Sequence, residues 1–191
     1  MARRADVLAV ARALASRGGT EIAFHARGRG LSGLEHYELA YRLSDLPSSR
    51  LFVNDRLDVA LAARATGVHL GYGSLAPEEA RRLDPAWWIG MSVHDLDEAR
   101  AAETACADYL LVGPVYPTAT HPTRAPLGAR RFAEIARLGI PTIAIGGVTP
   151  ERTAELRAAG AYGVAAIRAL WDAGEPGTAV RAFLEELGRG P

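Results

Sequence analysis

The sequence predicts an α/β fold built on a parallel sheet. Short apolar runs, too short for globular helices, recur along the chain. Amphipathic stretches of helical spacing separate them, and Gly, Pro or Asp bounds most of the runs. Such runs read as strands buried on both faces. Repeated strand–helix units fit either a doubly wound sheet or a closed (β/α) barrel. No Gly-x-Gly-x-x-Gly follows a first strand, which weighs against a dinucleotide-binding sheet.

Taken in order, residues 7–16 read as a helix ended by Gly18-Gly19. Seven strands are expected at residues 21–26, 51–53, 67–70, 87–92, 109–112, 142–145 and 163–167. Helices are expected at 34–43, 57–65, 77–83, 96–106, 129–138, 150–159 and 178–187. Thr149-Pro150-Glu151 opens one of them with a capping hydroxyl, a proline at the first helical position and an acid in the first turn. An eight-stranded barrel would begin with a strand. Here the N-terminal first strand is missing; the alternative, a strand at 7–10, leaves no room for the helix after it. An open barrel exposes two strand edges, so a homodimer or a covering segment is expected at the gap. Without a linker or low-complexity stretch, residues 1–191 are read as a single domain.

Composition narrows the function classes. Lys+Arg and Asp+Glu both number 22, so no nucleic-acid partner or acidic membrane surface is expected. No apolar run is long enough to span a membrane, residues 1–6 lack the long apolar segment of a signal peptide, and a cytoplasmic location is expected. The single cysteine, Cys106, excludes an intramolecular disulfide and is read as a small buried hydrophobe.

In a parallel barrel the site lies at the C-terminal ends of the strands. Polar and glycine residues concentrate there: His25 to Arg29, Asn54-Asp55-Arg56, Gly71 to Ser74, Ser92-Val93-His94, Gly113 to His121, Gly146-Gly147 and Arg168. Gly146-Gly147 stands between a strand and a helix start, where backbone N–H groups can meet a phosphate. The connection 113–128 is long for a strand–helix loop and reads as a lid carrying Thr118, Thr120, His121, Thr123 and Arg124. His36 is read as a surface helix residue, His69 as a packed and hydrogen-bonded histidine, and His94 as orienting a strand end.

Several blocks together resemble a known family. Val53-Asn54-Asp55-Arg56-Leu57-Asp58-Val59-Ala60-Leu61 is similar to a block of thiamine phosphate synthases and TenI proteins. Gly67-Val68-His69-Leu70-Gly71, Ile89-Gly90-Met91-Ser92-Val93-His94, Asp108 to Val115 and Ala144-Ile145-Gly146-Gly147-Val148 continue it in the same order. The resemblance spans roughly residues 20–187 and implies a TIM-type (β/α) barrel of the thiamine phosphate synthase superfamily, with the first strand absent.

Departures from the synthase pattern point toward the TenI side. Where synthases carry Gln-x-Arg-x-Lys, this chain has His25-Ala26-Arg27-Gly28-Arg29. Asp55 keeps one Mg²⁺ ligand, but Ser74 stands in place of the second aspartate. The Thr-x-Thr-Lys segment reads Thr118-Ala119-Thr120-His121, and Arg168 occupies a usual serine position. Pro114 falls where a TenI-type histidine would sit. The resemblance therefore implies first a thiazole tautomerase, an isomerase aromatising a carboxythiazole phosphate without cofactor. His121 or His25 would move the proton. Arg29, Asn54, Ser92, Thr118, Thr120, Gly146, Gly147, Ile167 and Arg168 would bind a small phosphorylated thiazole ligand. The alternatives are a synthase joining aminopyrimidine pyrophosphate to thiazole phosphate, with Mg²⁺ at Asp55, and a non-catalytic binder of the same ligands.

Overall fold

The computed structural model describes residues 7–28, 30–47, 50–71, 73–120 and 123–188. Arg29 and His121 lie outside the described residues. The chain begins with α1 (Val7–Gly18) and a 3₁₀ turn, Gly19–Glu21. Strand–helix units follow: β1 (Ala23–Ala26) and α2 (Gly33–Ser44), β2 (Arg50–Asn54) and α3 (Leu57–Ala62), β3 (Gly67–Leu70) and α4 (Pro77–Leu83). Next come β4 (Trp88–Val93) and α5 (Leu96–Thr104), β5 (Tyr109–Val112) and α6 (Gly128–Ala136), and β6 (Thr142–Ile145) and α7 (Pro150–Ala158). The chain closes with β7 (Gly163–Ala165), α8 (Arg168–Trp171) and α9 (Pro176–Gly188).

The seven strands pair in sequence order, β1 to β7, and all the pairings are parallel. They form a curled half-barrel with helices on its outside. No strand pairs β1 with β7 among the described residues, so the gap expected from the missing first strand is there. On the helix side it is spanned by packing. Val10 and Leu14 of α1, Val180 of α9, Phe24 of β1 and Trp171 of α8 share one buried cluster. The Trp171 ring meets Phe24 edge-on, 6.3 Å between centroids. A covering segment is therefore present; it is helical.

Strand alternation divides the sheet into two chemistries. The helix-facing set includes Ala26, Val53, Val68, Ile89, Leu110, Val112 and Ala144, each at most 1% exposed. The inner set runs across the sheet in register: His25 beside Phe52, Asn54 beside His69, His69 beside Gly90, and Gly90 beside Tyr109. Gly90 makes room for its neighbour, since a Cβ there would lie 1.9 Å from Tyr109 Cζ.

Local signals explain some helix starts. Ser32 and Glu35 form a reciprocal capping box on α2, and the Asp95 carboxylate accepts from the Glu98 N–H at the start of α5. Thr149 occupies the expected cap position of α7, but its side chain makes no cap bond. Three further expectations need correcting. His36 is buried, not on the surface, and its Nε2 lies 3.0 Å from the Ala26 carbonyl. Cys106 is exposed and left-handed (φ 58°), because it ends the turn after α5 rather than lying inside the helix. The last strand stops at Ala165, so Ile167 and Arg168 open α8 instead of extending β7. No helix among the described residues is long and apolar enough to cross a membrane.

Candidate active site

The inner face of β1 to β5 carries a compact polar and aromatic cluster. His25 stacks on Phe52 (5.2 Å, 20° between planes) and meets His69 edge-on at 5.3 Å. His69 Nε2 lies 2.8 Å from Ser92 Oγ, and its Nδ1 lies 3.3 Å from the Tyr109 hydroxyl. Burial drives the electrostatics here. It lowers His25 to about 4; the Asn54 side chain opposes part of that shift and the Arg27 charge adds to it. His69 is held well below the ordinary imidazole value, first by burial and then by the His25 and Arg27 charges. The Tyr109 phenol is pushed up by burial and by Asp108. Both rings are thus neutral near pH 7. His25 does not have the near-neutral pKa expected of a proton shuttle.

Asn54 ends β2 beside this cluster, and among the described residues its buried Oδ1 has no hydrogen-bond partner of ordinary geometry. A buried orphan oxygen at a strand end invites a donor from a ligand.

One residue further, the chain turns at Asp55 in the left-handed region (φ 63°), where Asp is tolerated better than most residues. Asp55 Oδ1 accepts from the Gly71 N–H at 2.9 Å and from the Ser74 hydroxyl. The two positions compared with metal ligands are therefore brought together. Oδ2 of Asp55 has no partner among the described residues. No cluster of three or more His, Cys, Asp or Glu suited to a metal occurs among the described residues.

A second group forms over β5 to β7. Gly146 and Gly147 both take positive φ, 94° and 64°. A Cβ on Gly146 would lie 2.6 Å from Pro114 Cα, so two loops interlock at backbone contact. Val115 N–H donates to the Ile145 carbonyl (2.9 Å), and Tyr116 N–H to the Gly146 carbonyl (3.0 Å). The N–H groups of Gly146, Gly147 and Val148, and those of Ile167 and Arg168, donate to no acceptor among the described residues. Arg168 reaches across to Thr118 Oγ1 at 3.4 Å, and the Thr120 N–H approaches the same oxygen at 3.4 Å. Thr118, Thr123, Arg124 and Arg168 help to line a cleft of about 590 Å³.

Of the residues singled out in the sequence, His25, Asn54 and Ser92 converge in the first group. Thr118, Thr120, Gly146, Gly147, Ile167 and Arg168 belong to the second. Tyr109 was not singled out. The alternation Tyr109-Leu110-Leu111, with Gly90 as cross-strand neighbour, was the available signal for Tyr109.

Comparison with known proteins identifies the family. A family model described as thiamine monophosphate synthase matches residues 2–170. The chain is 36% identical over 192 residues to the thiamine-phosphate synthase of Bacillus velezensis, covering 97% of this chain and 86% of that one. It is 49% identical over 144 residues to the thiamine biosynthesis bifunctional protein ThiM/ThiE of Symbiobacterium thermophilum, but spans only 30% of that protein's length. The solved thiamine phosphate pyrophosphorylase of Pyrococcus furiosus superposes with a TM-score of 0.86 at 33% identity, covering 94% of this chain and 88% of that one. The half-barrel, the ordered blocks and these matches assign the chain to the thiamine monophosphate synthase family.

Proposed function

We propose that the protein is a transferase of thiamine biosynthesis that joins an aminopyrimidine methyl pyrophosphate to a thiazole phosphate. The thiazole nitrogen would bond to the pyrimidine methylene while the bond from that methylene to pyrophosphate breaks. The observation that carries this reading is Asp55. A carboxylate at the mouth of a site for anionic ligands repels them unless a cation lies between. In a metal-free tautomerase Asp55 would only hold the Gly71 N–H and the Ser74 hydroxyl. The names of near-full-length relatives support the same choice over the isomerase reading.

The residues fit a Mg²⁺-type cation in one way. Mg²⁺ is often held by one or two carboxylates, with substrate phosphates supplying other ligands. Asp55 would hold it, with the Ser74 hydroxyl alongside. When bound, such a cation would neutralise charge on pyrophosphate oxygens. The thiazole phosphate would sit on the free N–H groups at Gly146 to Val148 and near Ile167, with Arg168 and Thr118 beside them. The neutral His69–Ser92–Tyr109 cluster and the orphan oxygen of Asn54 would hydrogen-bond an uncharged ring.

Ser74 in place of a second carboxylate, and His121 where synthases have lysine, keep the tautomerase as a second reading. The two are separated by supplying each substrate set to the pure protein. Thiamine phosphate formation that stops on chelation, and Asp55→Asn raising the Mg²⁺ requirement about 10–100-fold, are expected. Aromatisation of a carboxythiazole phosphate in the presence of chelator, without the joining reaction, would reverse the choice. Binding without either reaction would favour the non-catalytic alternative.

A further inference from the structure

The glycine loop after β6 is held on one side by contacts that reach its carbonyls one after another. In a trans peptide the C=O and the next N–H point in opposite directions. Fixing a carbonyl therefore aims the following N–H. Val115 N–H holds the Ile145 carbonyl, which aims Gly146 N–H; Tyr116 N–H holds the Gly146 carbonyl, which aims Gly147 N–H. Both are backbone contacts. The third carbonyl, of Gly147, is held by a side chain: the Arg152 guanidinium donates to it at 2.6 Å. That contact aims Val148 N–H.

Arg152 is itself held. Its guanidinium lies over the Tyr116 ring, 4.5 Å from the centroid. The Tyr116 hydroxyl donates to Glu155 Oε2 at 2.5 Å. Tyr116 stands on the strap of chain directly after β5, whose backbone fixes the second peptide, and Arg152 and Glu155 lie on α7. The stack thus ties the strap, the glycine loop and the first turns of the helix into one unit. Arg152 is exposed, and among the described residues no carboxylate is hydrogen-bonded to it; its guanidinium bonds the loop instead.

We infer that Arg152 is a positioning residue: clamped on Tyr116, it sets the third peptide plane of the loop so that three successive N–H groups converge on a phosphate. This rests on the loop being the phosphate site proposed above. Orientation through a carbonyl differs from direct charge pairing in its response to salt. Screening weakens a guanidinium–phosphate attraction at a distance, but it does not undo a hydrogen-bonded peptide orientation.

The test uses inorganic phosphate as the probe, with calorimetric titration at about 0.05 M and 0.5 M sodium chloride. Melting temperature without phosphate is followed in parallel. Arg152→Ala should weaken phosphate binding about tenfold at both salt concentrations, while the phosphate-free melting temperature changes little. Tyr116→Ala should weaken it too, although tyrosine carries no positive charge, and should add little in the Arg152→Ala background. Arg152→Lys, which keeps the charge but loses the planar stack, should recover only part of the affinity. Wild-type affinity in Arg152→Ala overturns the clamp and leaves the phosphate site standing. A loss that disappears at high salt, or full recovery in Arg152→Lys, also overturns it, making Arg152 a plain charge. No phosphate binding by the wild type removes the site itself and the clamp with it.

Discussion

The inner face of β1 to β5 and the mouth over β5 to β7 prepare for a ligand by different means. The first uses side chains: two neutral imidazoles, a serine, a tyrosine and an unpaired amide oxygen, packed among aromatic rings. The second uses peptide groups, freed by two left-handed glycines and fixed by their carbonyls. Side-chain sites tolerate changes of backbone but respond to pH. Peptide sites ignore pH and depend on a conformation that only glycine adopts cheaply. The difference also explains why polar uncharged rings suit the first region and anions the second.

The sharpest way to break the comparison is to give the second region a side chain. Gly146→Ala would add strain at φ 94° and drive a Cβ to 2.6 Å from Pro114 Cα, a backbone atom that cannot step aside. Left-handed strain and overpacking together cost about 2–6 kcal/mol. Urea denaturation should show a loss in that range. A midpoint within error of wild type would mean that the loop relaxes and that its geometry is not built in.

The first region should instead reveal itself through pH. His25 titrates at about 4 in the folded chain against 6.5 in the unfolded one. Between those values the unfolded chain binds the extra proton, so stability is full above about pH 6.5 and falls as the pH drops toward 4. For His25 alone this amounts to about 3 kcal/mol, and His69 acts in the same direction. The His25→Gln variant should therefore lose less stability than wild type between pH 7 and pH 4.5. Equal losses in the two proteins would show that the ring is more hydrated than its packing implies.

The two regions were not equally legible in the sequence. Strand positions came through because both-face burial makes short apolar blocks, and 67–70, 109–112 and 142–145 match the structure to the residue. Gly146-Gly147 was legible because adjacent glycines between a strand and a helix start mark a backbone that turns through positive φ or meets a ligand closely. The short α8 was not, since four residues give no helical period. His36 was misread because it occupies a core position of α2: His36, Ala40 and Leu43 are its buried stripe, and a polar name concealed the spacing. The low pKa of His25 depends on rings contributed by β2, β3 and β5, none adjacent to it in sequence. Arg152 looks like an ordinary exposed helix residue until its guanidinium is seen turned back on the loop.

A pair of single-hydroxyl deletions provides the finest test of the contrast. Neutral imidazole has one donor and one acceptor nitrogen. In His69 both nitrogens are engaged, by Ser92 at 2.8 Å and by Tyr109 at 3.3 Å, and the residue is 1% exposed. Ser92→Ala leaves Nε2 facing a methyl group where solvent has little access, which costs about 1–3 kcal/mol. Thr118→Val removes a hydroxyl whose bond to Arg168 is 3.4 Å long and exposed, near the outer limit for such contacts. Water replaces that bond at once, so the stability change should stay within about 0.5 kcal/mol. The order should invert for anion binding: Thr118→Val should weaken phosphate affinity, whereas Ser92→Ala should leave it unchanged. Matched denaturation curves and phosphate titrations of the two variants give four numbers. If Ser92→Ala weakens phosphate binding as much as Thr118→Val does, the two regions are one coupled site and the division between side-chain and peptide recognition fails.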